Sequence, residues 1–398
     1  MPLHGAALPD FPWDSLAPAK ARAAAHPGGI VDLSVGTPVD PTPDVAREAL
    51  IAAADAPGYP QTIGTPRLRR AVVEWFARRR GVPDLDPDGV LPTIGSKEMV
   101  ALLPALLGLG AGDAVLHPRT AYPTYDVGAR LAGATPVAVD PDPATWPEQD
   151  VRLVWLNSPG NPDGHVLGVE QLAAVVAWAR DRGAVVVADE CYAELGWSEP
   201  WDTGGVPSLL DPRVTGGDVR GLLVLYSLSK QSNLAGYRAA LVAGDPALVR
   251  PVTEVRRHAG MIMPAPVQAA MAAVLEDDEH VAAQKERYRT RRTALLGAVD
   301  AAGLEHDPES VAGLYLWLGA GATDGSGDDA SGRDGAGGDS WQVVDALAGR
   351  GILVAPGDFY GPAGRGRVRL ALTATDERVT EAVRRLTEGG PLLLPGGR

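Results

Sequence analysis

The sequence predicts an α/β protein whose central sheet is mostly parallel. Three short apolar runs, at residues 151–156, 183–188 and 221–225, each lead into polar residues. Buried parallel strands are near-continuous apolar runs, and a stretch of helical spacing at residues 170–182 separates two of them. Ligands of open α/β sheets bind at the carboxyl ends of the strands. We therefore expect a functional site where these three runs end.

Length and charge restrict the possible functions. The chain has 398 residues, 45% of them hydrophobic and 22% charged, which predicts a large core and two domains. A net charge of -14 argues against a nucleic-acid or anionic-membrane partner, because both need clustered positive charge. The single cysteine, Cys191, cannot form an internal disulfide. With neither a signal peptide nor an apolar run of about 18 residues, the chain is expected in the cytoplasm.

Further elements are predicted in chain order on both sides of the three runs. The predicted strands lie at residues 30–34, 114–117, 239–244, 314–318, 351–357 and 368–372. The predicted helices lie at residues 44–54, 68–80, 96–109, 247–256, 267–275 and 276–299. Residues 319–339 are mostly Gly, Ala, Ser and Asp, which bury too little apolar surface to offset their ordering entropy, so we expect a mobile loop there.

The polar segment after the run at 221–225 contains a lysine in a distinctive setting. Lys230 follows Ser227 and Ser229, and Arg238 comes eight residues later. A lysine beside hydroxyls and a second cation suits imine formation with a carbonyl cofactor that also carries a phosphate. The guanidinium of Arg238 can bind two phosphate oxygens, and Ser227 can donate a hydroxyl hydrogen bond. A solvated loop lysine is the alternative for Lys230 taken alone.

Two other strand ends contain polar residues suited to binding a charged ring. Asn161 lies in a turn that two prolines and two glycines make rigid, so its amide can be presented to an oxygen atom. Asp189 ends an apolar run, where a carboxylate is partly desolvated and needs a partner. Glu190 points to the opposite side of the strand, because strand side chains alternate, and is expected to serve structure.

A second phosphate-binding feature is predicted at the start of a helix. Gly95 and Ser96 form a turn that opens the helix predicted at 96–109. Free N–H groups and the helix dipole at such a position bind phosphate well, and Ser96 and the amide of Lys97 are the candidate donors. Ser and Gly are also common as ordinary helix caps, which is the alternative.

These motifs resemble those of the class I and II aminotransferases, pyridoxal 5'-phosphate (PLP) enzymes of fold type I. The resemblance rests on Ser227-x-Ser-Lys230 with Gly-x-Arg238, on Asn161-Pro-x-Gly and on Asp189 with Tyr192 three residues later. It implies a large, mostly parallel-sheet domain at residues 40–285 and a smaller α+β domain at residues 1–39 and 286–398.

The resemblance also implies a role for each site residue. The implied catalytic residues are Lys230, Asp189 and Tyr122, with Lys230 as the Schiff-base lysine. The implied cofactor ligands are Ser96, Lys97, Tyr122, Asn161, Asp189, Tyr192, Ser227, Lys230, Arg238 and, from the partner subunit of a homodimer, Tyr59. The implied substrate-binding residues are Gly36, Asn161 and Arg369. Four of these residues have a structural alternative: Gly36 as a turn glycine, Tyr122 as a packed tyrosine, Tyr59 as a surface tyrosine and Arg369 as a surface arginine. No metal-ligand cluster is evident in the sequence.

Loops at residues 11–14, 35–41, 257–261, 264–268 and 355–361 are most similar to succinyldiaminopimelate transaminases of actinobacterial type. This similarity implies that the chain transfers an amino group between N-succinyl-LL-2,6-diaminopimelate and 2-oxoglutarate in lysine biosynthesis. Another amino-acid aminotransferase, such as one for aspartate, or a C–S lyase of the same fold is the alternative. A PLP-binding module without turnover is a more distant one, since the N-terminal arm is too short for a DNA-binding segment.

Overall fold

The fold is described from a computed structural model that covers residues 8–320, 339–392 and 394. Its strands are β1 (Val31–Asp32), β2 (Val90–Ile94), β3 (Ala114–Pro118), β4 (Thr135–Val139), β5 (Val151–Asn157), β6 (Val185–Asp189), β7 (Leu222–Ser227), β8 (Ala239–Gly244), β9 (Leu304–His306), β10 (Tyr315–Ala320), β11 (Ile352–Leu353), β12 (Ala355–Pro356) and β13 (Arg367–Ala371).

The helices alternate with these strands through most of the chain. They are α1 (Ala17–Ala24), α2 (Asp44–Ala52), α3 (Pro66–Arg79), α4 (Ser96–Leu106), α5 (Thr124–Ala132), α6 (Val169–Arg182), α7 (Pro212–Thr215), α8 (Leu228–Gln231), α9 (Pro246–Ala259), α10 (Ala265–Leu275), α11 (Glu279–Ala301), α12 (Ser340–Gly349) and α13 (Asp376–Glu388). Within the covered ranges, none of them has the length and apolar character needed to cross a bilayer.

A seven-stranded sheet forms the centre of the molecule. Its strand order is β2-β8-β7-β6-β5-β3-β4, and β8 is antiparallel to both of its neighbours while the other pairs are parallel. Alternate residues of β5 enter two different cores: Val154 and Leu156 pack on one face of the sheet, and Leu153 and Trp155 on the other. Both faces are covered, which explains why the central strands are continuous apolar runs.

A third core, separate from the two on the faces of the central sheet, surrounds a smaller sheet. That sheet has the antiparallel order β12-β13-β10-β9, and β1 pairs with β11 in a two-stranded parallel sheet beside it. Leu16 and Val31 from the start of the chain pack in this core with residues of β10 and β13. Both ends of the chain therefore build it, and the boundaries at residues 40 and 285 stay a prediction.

The predicted elements differ from the structure in several places, and among the helices α5 and α13 were not predicted. The sequence predicts one strand at 351–357, but Val354 separates β11 from β12, which belong to different sheets. Three strands were missed: β2 and β4, which each contain a proline, and the three-residue β9. The loop predicted at 319–339 is wrong at Gly319 and Ala320, which end β10, and its residues 321–338 lie outside the described ones.

A buried ion pair joins the central sheet to helix α3. Arg80 Nη2 donates to Glu190 Oε2 at 2.9 Å, and both side chains are 1% exposed. Glu190 Oε1 also accepts from the Ser208 hydroxyl at 3.0 Å and the Leu209 amide at 2.7 Å. Glu190 thus points away from the side of β6 that Asp189 occupies, as strand alternation predicts. These contacts satisfy a carboxylate that burial alone would destabilise.

Arg80→Met should lower the free energy of unfolding by about 3–5 kcal/mol, because it leaves the Glu190 carboxylate buried without its cation. Denaturant unfolding of the purified protein measures this change. The exposed Arg70→Met is the matched control and should stay within about 0.5 kcal/mol of the parent. Equal stabilities for the two variants would show that the buried pair does not stabilise the fold.

Candidate active site

One cavity of about 450 Å³ lies at the carboxyl ends of the central strands. Asn157, Asp189 and Ser227 end β5, β6 and β7, which are adjacent parallel strands. The lining residues are Phe11, Trp13, Val35, Gly36, Thr37, Ser96, Lys97, Tyr122, Tyr125, Asn157, Asn161, Asp189, Cys191, Tyr192, Ser227, Ser229, Lys230, Ala235, Arg238, Tyr315 and Arg369. The cavity therefore contains cations, a carboxylate and aromatic rings.

Lys230 projects into the cavity from the short helix α8. The side chain of Ser227 caps this helix by accepting a hydrogen bond from the Ser229 amide. The Lys230 ammonium donates to the carbonyl oxygen of Gly36. Burial lowers the pKa of Lys230, and the charges of Arg369 and Arg238 act in the same direction. A larger share of neutral, nucleophilic amine at neutral pH follows from this setting.

Asp189 provides the negative charge of the cavity. Its Oδ2 accepts from the Tyr125 hydroxyl at 3.0 Å, and its Oδ1 accepts from the Cys191 amide at 3.2 Å. Burial raises the pKa of Asp189, and among the described residues no cation lies within salt-bridge distance of it. A buried carboxylate of this kind gains stability from a cationic partner such as a protonated ring nitrogen.

Arg369 is a buried cation without a carboxylate partner in the described part of the chain. Its side chain is 2% exposed and donates to Asn161 Oδ1 at 2.9 Å and to the Ser34 carbonyl at 2.7 Å. Its guanidinium carbon lies 4.0 Å from the centre of the Tyr315 ring, and its Nε makes no hydrogen bond. Such an arginine suits a carboxylate ligand that the protein itself does not supply.

The opposite end of the cavity has the features of an anion site. Gly95 has a φ of +80°, and Ser96 starts helix α4 immediately after it. A Cβ atom at Gly95 would collide with the guanidinium of Arg238, so only glycine allows this close approach. The hydroxyl of Ser227 donates to that of Ser229 at 2.8 Å on the same wall. N–H groups, hydroxyls and a guanidinium together can hold a phosphate.

The structure brings together all but one of the predicted site residues. Those that line the cavity are Gly36, Ser96, Lys97, Tyr122, Asn161, Asp189, Tyr192, Ser227, Lys230, Arg238 and Arg369. Tyr59 is not among them, and its side chain is fully exposed. Its contact with the cofactor of a partner subunit therefore stays a prediction.

Sequence reasoning missed several residues that complete the site. Tyr125 has no predicted role, yet its hydroxyl donates a hydrogen bond to Asp189. Tyr315 packs under Arg369, and its hydroxyl lies 3.1 Å from that of Tyr192. Asn157 donates to the Asp189 carbonyl at 3.0 Å and accepts from the Asn161 amide at 2.8 Å. Only Asn157 had a local signal, since it begins the proline-rich turn.

These residues fit a phosphate-bearing aldehyde with a basic ring nitrogen. Gly95, Ser96 and Arg238 form a cradle that a Cβ would fill, Lys230 supplies a desolvated amine, and Asp189 supplies an unpaired carboxylate. Within the described residues, no group of three or more His, Cys, Asp and Glu side chains is placed to hold a metal ion.

The mostly parallel sheet with this cavity at its strand ends is the arrangement of the PLP-dependent transferases of fold type I. The family model described as "Aminotransferase class I and II" matches residues 29–386. The chain belongs to the class I and II aminotransferases.

Its relatives differ in the activities that their names state. The chain is 56% identical to "4-dedimethylamino-4-oxo-anhydrotetracycline transaminase OxyQ" of Streptomyces rimosus, over 96% of this chain and 99% of that one. It is 57% identical to "Probable aminotransferase Rv1178" of Mycobacterium tuberculosis, over 96% and 86% of the two chains. The solved structure of a probable N-succinyldiaminopimelate aminotransferase from Thermus thermophilus matches with a TM-score of 0.82 and 28% identity, over 95% and 100%.

Asp189→Asn should keep bound cofactor but lower the rate of transamination from L-glutamate by about 10²- to 10⁴-fold, the range for losing a positioned ionisable group. Asparagine can still accept from Tyr125 but carries no charge for a ring nitrogen. Absorbance of bound cofactor and steady-state rates measure the two effects, and the exposed Asp88→Asn is the control. An unchanged rate would mean that ring protonation is not maintained by Asp189.

Proposed function

We propose that this aminotransferase binds pyridoxal 5'-phosphate and transfers an amino group between N-succinyl-LL-2,6-diaminopimelate and 2-oxoglutarate. The observation that carries the cofactor assignment is the placement of Lys230, Asp189 and Arg369 in one cavity at the strand ends. A nucleophilic amine, an unpaired carboxylate and an unpaired guanidinium match the aldehyde, the ring nitrogen and the substrate carboxylate of a transaminase.

Each end of the cavity has a separate binding task in this proposal. Ser96, Ser227 and Arg238 hold the phosphate, with the Lys97 amide as a further donor. Asn161 and Tyr192 bind the phenolic oxygen of the ring. Tyr122 stacks on the ring, and burial raises the pKa of Tyr122 to about 12, so its hydroxyl stays protonated. When bound, the cofactor supplies the electron sink for the substrate carbanion.

Lys230 and Arg369 act on the substrate. Arg369 binds the α-carboxylate through its planar fork, beside Asn161 and the Gly36 segment, and so fixes the orientation of the α-carbon. With the α-carbon fixed in this way, Lys230 Nζ would be the base that removes the α-proton of the substrate and the acid that returns a proton in the second half of the transfer. The lowered pKa of Lys230 favours the neutral amine that the first of these steps needs.

The substrate assignment rests on similarity to a named structure and on loop sequences. The similarity to the probable N-succinyldiaminopimelate aminotransferase of Thermus thermophilus favours a succinylated diaminopimelate, as do the loops at residues 35–41 and 355–361. The 56% identity to OxyQ supports a second candidate, the amination of a ketone on an anhydrotetracycline-type ring system. Aspartate and other amino acids, or C–S cleavage, are further alternatives on the same scaffold. We also propose a cytoplasmic homodimer, in which Tyr59 contacts the cofactor of the neighbouring subunit.

Lys230→Ala should abolish both the visible absorption of the lysine-bound cofactor and turnover, because alanine offers no amine for attachment or proton transfer. A visible spectrum and a transamination assay of the same preparation measure this. Lys20→Ala, whose parent side chain is 64% exposed, is the control and should retain both signals. Persistence of band and turnover in the Lys230 variant would remove the central assignment.

A coupled assay of glutamate formation separates the candidate substrates. With 2-oxoglutarate as acceptor, kcat/KM for N-succinyl-LL-2,6-diaminopimelate should exceed that for aspartate by at least about 100-fold, since only the former reaches beyond the inner part of the cavity. The anhydrotetracycline ketone with glutamate as donor is the parallel reaction, followed by 2-oxoglutarate release. Preference for the ketone or for aspartate would reject the proposed substrate and keep the reaction class.

A further inference from the structure

Four residues form the outer wall of the cavity, which we call the distal subsite: Phe11, Trp13, Lys97 and Tyr122. Phe11 is 54% exposed, which marks the mouth of the cavity, and its ring centre lies 5.5 Å from that of Trp13. Trp13 in turn packs against Phe359 at 5.2 Å. The segment before α1 is therefore held over the cavity by ring contacts with the core that surrounds the smaller sheet.

Lys97 presents a positive charge in this wall without a matching anion. Its Nζ lies 5.2 Å from the ring centre of Phe11 and 5.9 Å from that of Tyr122, and no carboxylate of the described chain pairs with it. Burial lowers the pKa of Lys97, as does the neighbouring charge of Arg238. An anionic ligand would restore the solvation that this ammonium loses.

Trp13 supplies an aromatic ring to the same wall, where it packs against Phe11. The Trp13 ring also lies 6.0 Å from the guanidinium carbon of Arg369. Ring contacts thus run continuously from Arg369 through Trp13 and Phe11 to Lys97.

We propose that the distal subsite binds the far carboxylate of an extended substrate through the Lys97 ammonium. The inference rests on the proposed function in one respect, that Arg369 binds the α-carboxylate. It defines the substrate class as amino acids with a second carboxylate several bonds away, to which a succinylated diamino acid belongs. The rings of Phe11 and Tyr122 lie 5.2 and 5.9 Å from the Lys97 ammonium and help to orient it by cation–π attraction.

The competing ligand for Lys97 is the cofactor phosphate. Ser96, Ser227 and Arg238 already supply N–H, hydroxyl and guanidinium donors for that phosphate. The Lys97 ammonium lies near the ring of Phe11, which is at the mouth of the cavity, as well as near that of Tyr122. This placement favours the substrate over the phosphate.

Non-reacting acids test the subsite on the cofactor-loaded enzyme. Pimelate carries two carboxylates, and heptanoate has the same chain length with one. By calorimetry, pimelate should bind the parent enzyme at least about tenfold more tightly than heptanoate. Lys97→Met should bring this ratio close to one, while Lys97→Arg should preserve most of it.

Three outcomes would overturn the proposal. The first is a parent enzyme that binds both acids equally, and the second is a Lys97→Met variant that keeps the full preference. The third is a Lys97→Met variant that loses bound cofactor, measured by absorbance, but keeps the preference for pimelate. In that case the Lys97 charge would bind the cofactor phosphate and not the substrate. A preference for pimelate together with no turnover of N-succinyl-LL-2,6-diaminopimelate would instead reject only the proposed substrate.

Discussion

The candidate site depends on keeping three ionisable groups out of water without giving them ionic partners. Lys230, Asp189 and Arg369 line one cavity, and hydrogen bonds to neutral groups hold them: a backbone carbonyl, a tyrosine hydroxyl and a side-chain amide. Neutral contacts orient a charge but do not cancel it, so each group remains available for a ligand. The two apolar cores on the faces of the central sheet supply the stability that tolerates this arrangement.

Much of the site could be predicted because its chemistry is local in sequence. Lys230, Ser227 and Arg238 lie within one short segment, and Asn161 and Asp189 each follow a strand whose apolar run is visible in the sequence. Tyr125 and Tyr315 could not be assigned in this way. Each is an ordinary buried aromatic in its own element, and its role arises only from a contact with a residue 54 or more positions away, such as the contacts of Tyr315 with Arg369 and of Tyr125 with Asp189.

The contrast between local sequence signals and long-range contacts also explains the errors in the predicted fold. Strands β5 to β8 are buried on both faces and were predicted within a few residues, whereas β2 and β4 contain prolines that weaken a strand signal. The division of residues 351–357 between two sheets depends on tertiary pairing with β1 and β13. The proposed distal subsite is more distributed still, because it combines the segment before α1 with the start of α4.

The adjacent carboxylates at the end of β6 have a consequence for evolution and engineering. Asp189 faces the cavity, while Glu190 completes a buried ion pair with Arg80 on the other side of the sheet. An insertion or deletion of one residue in β6 would reverse the two sides. The longer acid would then enter the cavity and the shorter one would face an arginine it could not reach. Such a change would damage folding and chemistry together, so the length of this strand is held constant by two independent requirements.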